Sequence, residues 1–239
     1  MPTDPAIKLA HRGIKYFEEL IEKEIPFSLP RYGDGEFASI LGYPGKNCDG
    51  VQYTAELRDS LIETLINPHL EDMYFYGMLA VALRFYRPYI EKFTSINNLR
   101  MTWTESTFLV AANRHGKFSN FLDTLRKRPI LYVGPTHLRK LPDILGLKID
   151  YFIQIPEKTA FEQREVIRNE VLAAPSKAKF IGFSAGPASK WLIWSLFPDI
   201  GDKYTLFDFG SIFDGYVDRP SRKYQKRKTW SAIAQANLV

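Results

Sequence analysis

The sequence predicts an α/β protein with a Rossmann-like, mostly parallel sheet of about six strands and helices on both faces. Three observations lead there. Six short apolar runs, near residues 25–30, 73–77, 130–134, 151–155, 179–183 and 204–209, alternate with stretches of helical spacing, and that alternation builds parallel sheets covered on both sides. The polar motifs fall at the ends of these runs, where ligands bind in such sheets. The chain has 239 residues, 45% hydrophobic and 25% charged, enough for one domain with a full core. A single domain over 1–239 is expected, with an N-terminal helix at 5–24, a core at 25–210 and a basic segment at 211–239.

Taken in order, Ile7, Ala10, Ile14, Phe17 and Ile21 recur at a 3-4-3-4 spacing and predict an amphipathic helix. The run Ile25-Pro26-Phe27-Ser28-Leu29-Pro30 predicts a buried strand. Thr54 is placed to cap a helix through Leu57, Leu61 and Leu65. Met73-Tyr74-Phe75-Tyr76-Gly77 predicts a strand, followed by a helix to about Lys92. Thr102-Trp103-Thr104-Glu105 has the pattern of a capping box and predicts a helix ending near Gly116. Phe118, Phe121, Leu122 and Leu125 mark another short helix. Strands are predicted at Ile130-Leu131-Tyr132-Val133-Gly134 and at Tyr151-Phe152-Ile153-Gln154-Ile155. A second capping pattern, Thr159-Ala160-Phe161-Glu162, predicts a helix to Ala174. Lys179-Phe180-Ile181-Gly182-Phe183, a helix carrying Trp191, Leu192 and Trp194, and the strand Tyr204-Thr205-Leu206-Phe207-Asp208-Phe209 complete the series.

Composition narrows the class. No apolar run reaches the length of a membrane span, and the N-terminus lacks the apolar stretch of a signal peptide. Cys48 is the one cysteine, and with four scattered histidines it argues against a structural zinc site. A cytoplasmic protein is expected. The net charge of +5 favours polyanionic partners without choosing among nucleotides, nucleic acid and anionic surfaces.

The densest chemistry lies in Arg31-Tyr32-Gly33-Asp34-Gly35-Glu36-Phe37. Gly33 and Gly35 relax the backbone, so Asp34 and Glu36 can face one point, and two hard oxygen ligands suit Mn²⁺ or Mg²⁺ shared with substrate phosphates. Arg31 is placed to pair a phosphate or to hold a carboxylate. The same residues also make an ordinary Asp-Gly turn with two solvated acids. Gly134-Pro135-Thr136-His137 and Ser184-Ala185-Gly186-Pro187 are small-residue loops between strand and helix, suited to phosphate or simply to a tight connection. His137 reads as a base, a phosphate donor or a plain surface residue. Asp208, followed by Gly210 and Ser211, could hold a ribose, a sugar hydroxyl or the acceptor as a catalytic residue, or cap the next turn. No Walker A loop or dinucleotide fingerprint is present. From Arg219 to Trp230 the chain places six basic residues, among them Arg222, beside Tyr224 and Trp230. Such interleaving suits nucleic-acid contacts, a diphosphate clamp or a solvated surface.

The strand followed by Arg31-Tyr32-Gly33-Asp34-Gly35-Glu36 resembles the signature of the GT-D fold glycosyltransferases, once catalogued as a domain of unknown function. The resemblance continues in Val133-Gly134, in residues 156–161, in Ser184-Ala185-Gly186 and in Asp208-Phe209-Gly210-Ser211, so it spans about residues 25–225. Tyr32 stands where the family often has Phe, and Ser211-Ile212-Phe213-Asp214 departs from the family's His-bearing end. The resemblance implies a metal-dependent transferase in which Asp34 and Glu36 serve the Mn²⁺ or Mg²⁺ and the donor diphosphate, supported by Arg31. A nucleotide-sugar donor is implied, with a glycan, a glycoprotein or a hydroxymethylated base in DNA as acceptor. A metal-dependent phosphohydrolase and a non-catalytic nucleotide- or nucleic-acid-binding module are the alternatives.

Overall fold

The computed structural model describes residues 7–46 and 50–239; Cys48 and residues 5–6 lie outside them, and the helix expected over 5–24 begins only at Gly13, because Leu9 and Ala10 form a strand instead. Strand β1 (Leu9–Ala10) precedes helix α1 (Gly13–Glu22). Then β2 (Ser28–Leu29) and β3 (Arg31–Tyr32) flank Pro30 and lead into α2 (Asp34–Ile40) and α3 (Ala55–Ile66). Next come β4 (Tyr76–Met78), α4 (Ala80–Ile96), β5 (Trp103–Glu105), α5 (Phe108–Arg114) and α6 (Ser119–Arg126). Strand β6 (Pro129–Pro135) runs through a 3₁₀ turn (Thr136–Lys140) into α7 (Leu141–Leu145). The series continues with β7 (Lys148–Ile155), α8 (Arg164–Ala173), β8 (Phe180–Phe183), α9 (Ala188–Ile200) and β9 (Thr205–Asp208). A second 3₁₀ turn (Asp214–Val217) and α10 (Trp230–Ala236) follow. None of the described helices is long and apolar enough to cross a membrane.

The strands form two sheets, ordered β1-β5-β4-β3 and β2-β9-β8-β6-β7, with every pair parallel. They meet along residues 28–32. Ser28 N–H donates to Met73 O at 2.9 Å, Phe75 N–H to Ser28 O at 2.8 Å and Gly77 N–H to Pro30 O at 2.8 Å, while Leu206 N–H donates to Phe27 O at 2.8 Å on the other side. Pro30 has no N–H to give a ladder, and the split between β2 and β3 falls at that residue. Because all strands run one way, Tyr32, Met78, Glu105, Pro135, Ile155, Phe183 and Asp208 end at one edge.

Alternation along the strands feeds two cores. Leu131, Val133, Ile181 and Phe183 face the side covered by α2, α3, α4, α8 and α9, where Phe37, Leu61, Ile90, Ile167 and Leu192 are buried. Ile130, Tyr132, Phe180 and Phe207 face α1, α6, α7 and α10, with Phe17, Phe121, Leu141 and Trp230. Helices on both faces complete the α/β architecture that the sequence predicted.

All six predicted strands are present, and three further short ones join them. Residues 103–105 were expected to begin a helix. Trp103 and Thr104, both buried, instead pair with β1 and β4, and Glu105 Oε1 accepts the Thr107 N–H at 2.7 Å. Burial of a large aromatic outweighs a local capping preference worth about 1 kcal/mol. The pattern at Thr159 fails for a different reason. Thr159 has φ 62° and its hydroxyl donates to Lys158 O at 2.6 Å, so α8 begins only at Arg164. Thr54 does cap α3, accepting the Leu57 N–H at 3.1 Å.

Candidate functional site at the carboxyl ends of the strands

The Asp-Gly-Glu stretch is the first turn of α2, not a free-standing turn. Gly33 caps it, and its N–H donates to Glu36 Oε2 at 2.9 Å. Both acids sit where the helix dipole favours negative charge. A side chain at Gly33 would meet Leu79 Cδ1 at 2.9 Å and Glu36 Oε2 at 3.3 Å, so glycine leaves both in place. Asp34 is exposed on the first helical position. Glu36 turns inward, its side chain only 13% exposed, and Oε1 lies 2.8 Å from Lys190 Nζ.

Lys190 comes from the first turn of α9 and is buried. Its Nζ lies 3.1 Å from Asp208 Oδ2 and donates to Gly186 O at 3.1 Å. Asp208, fully buried at the end of β9, accepts the Arg31 N–H on Oδ2 at 3.2 Å and the Gly210 N–H on Oδ1 at 2.9 Å. Arg31 Nε donates to Asp208 O at 2.5 Å, and its Nη1 is buried without a hydrogen-bond partner. Gly210 has φ 56°, and a Cβ there would lie 2.9 Å from Arg31 Nη2, so conformation and space both call for glycine. Ser211 Oγ accepts from Arg222 Nε at 2.6 Å, which brings Arg222 near Arg31.

Burial pushes the Glu36 carboxyl up, but the Lys190 ammonium and the Gly33 N–H outweigh it and hold its pKa below the ordinary 4.5. Burial pushes Lys190 down, and Asp208 and Glu36 outweigh that, so its pKa stands above 10.5. The bridge is therefore charged at neutral pH. Its contribution to stability is present above pH 4.5 and lost as pH falls through the lowered Glu36 value; at the other end it is present below pH 10.5 and lost as pH rises through the raised Lys190 value. Urea midpoints measured across pH should fall at both ends in the wild type. Glu36→Gln should flatten the acid limb, and an unchanged acid limb would contradict the assignment.

Of the other expected residues, Gly186 joins this bridge through its carbonyl, and the rest stand apart from it. Gly134 is buried, and a Cβ there would meet the Tyr132 ring at 2.9 Å; Thr136 is exposed. His137 stands between Glu157, 3.7 Å from Nδ1, and Asp214, 3.6 Å from Nε2. Burial raises the Asp214 carboxyl, opposed by Ser221 and His137. Ser184 exchanges a 2.7 Å hydrogen bond with Tyr132 and lies under the edge. Gly186 has φ 57° with open space around it. Tyr224 packs its ring against Trp230, centroids 5.5 Å apart, and its hydroxyl accepts from Asn113 Nδ2 at 3.2 Å. Lys223, Lys226, Arg227 and Lys228 are exposed.

Sequence reading missed Lys190. A signal existed: a cation in the first turn of a helix opposes the dipole and so points to acidic neighbours from elsewhere in the fold. Lys190 also bears on the metal. Asp34 fits a divalent ion that completes its shell with water and phosphate oxygens. Glu36 already accepts Gly33 N–H on Oε2 and faces the Lys190 ammonium through Oε1, so Lys190 stands where an ion on that oxygen would sit. Among the described residues no three of His, Cys, Asp and Glu gather into a metal-holding group.

No family model and no curated protein matches the chain. Two solved structures share its fold. One is described as the highly conserved domain of unknown function 1792, with a distinct glycosyltransferase fold. It superposes with a TM-score of 0.63 at 19% identity, covering 87% of this chain and 79% of that one. The other is a selenomethionine-substituted structure of the same domain, with a TM-score of 0.62, 19% identity and the same coverage. The chain thus has a glycosyltransferase fold of this kind.

Proposed function

We propose that this chain transfers a sugar from a nucleoside-diphosphate sugar to an acceptor hydroxyl. The observation that carries the reading is the buried Arg31 guanidinium at the strand ends, whose Nη1 has no partner. A buried charged donor left unpaired is costly, and diphosphate oxygens suit its planar fork. Arg222 adds positive charge beside it, held by the bond from its Nε to Ser211 Oγ at 2.6 Å. Mn²⁺ or Mg²⁺ belongs to this reading, held by Asp34; its chemistry there is neutralisation of the charge developing on a leaving diphosphate. Asp208, with all its partners inside the protein, positions Arg31 and Lys190.

For the acceptor, a glycan or glycoprotein fits better than a DNA base. The two aromatic side chains of the basic segment are turned inward, Tyr224 bonded to Asn113 and Trp230 Nε1 donating to Gly215 O at 2.9 Å, and do not stand out for stacking.

Incubation with a panel of nucleotide sugars and Mn²⁺ tests the reading. A transferase releases the nucleoside diphosphate and couples the sugar to an acceptor or to water. A phosphohydrolase would release orthophosphate or a monophosphate instead, and a binding module would bind donor without turnover. No diphosphate release from any donor would sink the proposal.

A further inference from the structure

We propose that Lys190 is the resident cation of this edge, filling the position among Glu36, Asp208 and the Gly186 carbonyl that a divalent ion would otherwise take. Glu36 is then the partner of Lys190 and not a metal ligand, and an ion bound with substrate rests on Asp34. The inference builds on the transferase reading and divides the acidic pair into two roles.

Three oxygens from three elements converge on one nitrogen. Glu36 Oε1 from α2 lies at 2.8 Å, Asp208 Oδ2 from β9 at 3.1 Å and Gly186 O from the loop before α9 at 3.1 Å. Two carboxylates and a carbonyl are hard oxygen donors of the kind that bind Mg²⁺, Mn²⁺ or Ca²⁺. Here they surround an ammonium on a side chain whose relative exposure is 5%. Two buried carboxylates facing each other without a cation would repel, so a positive charge at this point is required, and Lys190 supplies it covalently. The remaining oxygens of both acids are also engaged, Glu36 Oε2 by Gly33 N–H and Asp208 Oδ1 by Gly210 N–H. The bridge ties α2, β9 and the 184–187 loop together directly beneath Arg31, which makes Lys190 a positioning residue for the donor site. The exposed Asp34 takes no part in it.

The test removes the resident cation and asks whether a metal replaces it. Lys190→Ala should melt well below the wild type in EDTA, and millimolar Mn²⁺ or Ca²⁺ should restore much of the loss. The same ions should leave the wild-type melting temperature unmoved. A purely structural lysine would not be replaced by an ion in this way. In Mn²⁺ titrations with UDP or GDP as probe, Asp34→Asn should weaken metal binding tenfold or more, and Glu36→Gln less than threefold. Should Lys190→Ala fail to fold, Glu36→Gln/Lys190→Met should still melt above Lys190→Met alone, because it removes one of the two stranded charges. Equal loss of Mn²⁺ affinity in Glu36→Gln and Asp34→Asn would overturn the proposal, as would a Lys190 variant that no divalent ion stabilises and Glu36→Gln does not rescue. These readouts need no sugar transfer. If they come out as expected while no donor is turned over, the transferase reading alone fails.

Discussion

Replacing Lys190 with Met is expected to cost about 3–5 kcal/mol of stability, the range for breaking a buried ion pair by removing one partner. The size follows from what is left behind. Asp208 is fully buried and the Glu36 side chain is 13% exposed, so two carboxylates lose their counter-charge where water cannot replace it. For a chain of this length each kcal/mol moves the melting temperature by roughly 2–4 °C, so a drop on the order of 6–20 °C is expected. The surface pairs set the contrast. Lys23–Glu19 and Arg58–Asp59 are well exposed on both sides, and exposed pairs contribute about 0–1 kcal/mol. Differential scanning calorimetry in EDTA distinguishes the two cases. A Lys190→Met melt within the range of a Lys23→Met control would show that the bridge is not a buried charge network.

The strands were legible because each of the six short runs is apolar enough to be read alone, and their order follows from alternation with helices. Where the sequence misled, a short local pattern competed with long-range pairing. Thr102 to Glu105 carries the signal of a helix start, yet Trp103 sits between two strands that lie far away in sequence. Pro30 marks the meeting of the two sheets, but a proline between apolar residues says nothing about which partner lies on each side. The site was half legible. Arg31, Glu36 and Asp208 were picked out by type and by their place at strand ends, and the structure does bring them together. The role of Glu36 was hidden, because it depends on a lysine 154 positions later in the chain (190 − 36). The basic segment reads as a nucleic-acid contact, a diphosphate clamp or a solvated surface. Its aromatic residues are inside because Asn113 Nδ2 donates to the Tyr224 hydroxyl and Gly215 O accepts from Trp230 Nε1, partners that no local pattern reveals.

The second large effect concerns Arg31, and its two consequences should part company. In Arg31→Met the fold loses the bond from Nε to Asp208 O but also sheds a buried charge whose Nη1 has no partner. Losing one partner leaves Asp208 O without this donor, while shedding an under-satisfied buried charge offsets part of the cost, so ligand-free stability should fall by about 1–3 kcal/mol. Asp208 keeps Lys190, the Gly210 N–H and the Arg31 backbone N–H, which limits the damage. Donor binding should respond quite differently. Truncating one side of a buried charged contact typically costs about 2–5 kcal/mol of affinity, which is a loss of roughly 30-fold or more. Arg31→Lys should recover only part of it, since an ammonium keeps the charge but not the fork that engages two oxygens at once. The measurement is a titration of each variant with a nucleotide sugar, or with its nucleoside diphosphate, alongside a melt of the ligand-free protein. A variant that melts like the wild type and binds the nucleotide fully would remove Arg31 from the donor site, and with it the observation on which the transferase reading rests. A variant that simply unfolds would instead place Arg31 among the structural residues of the bridge.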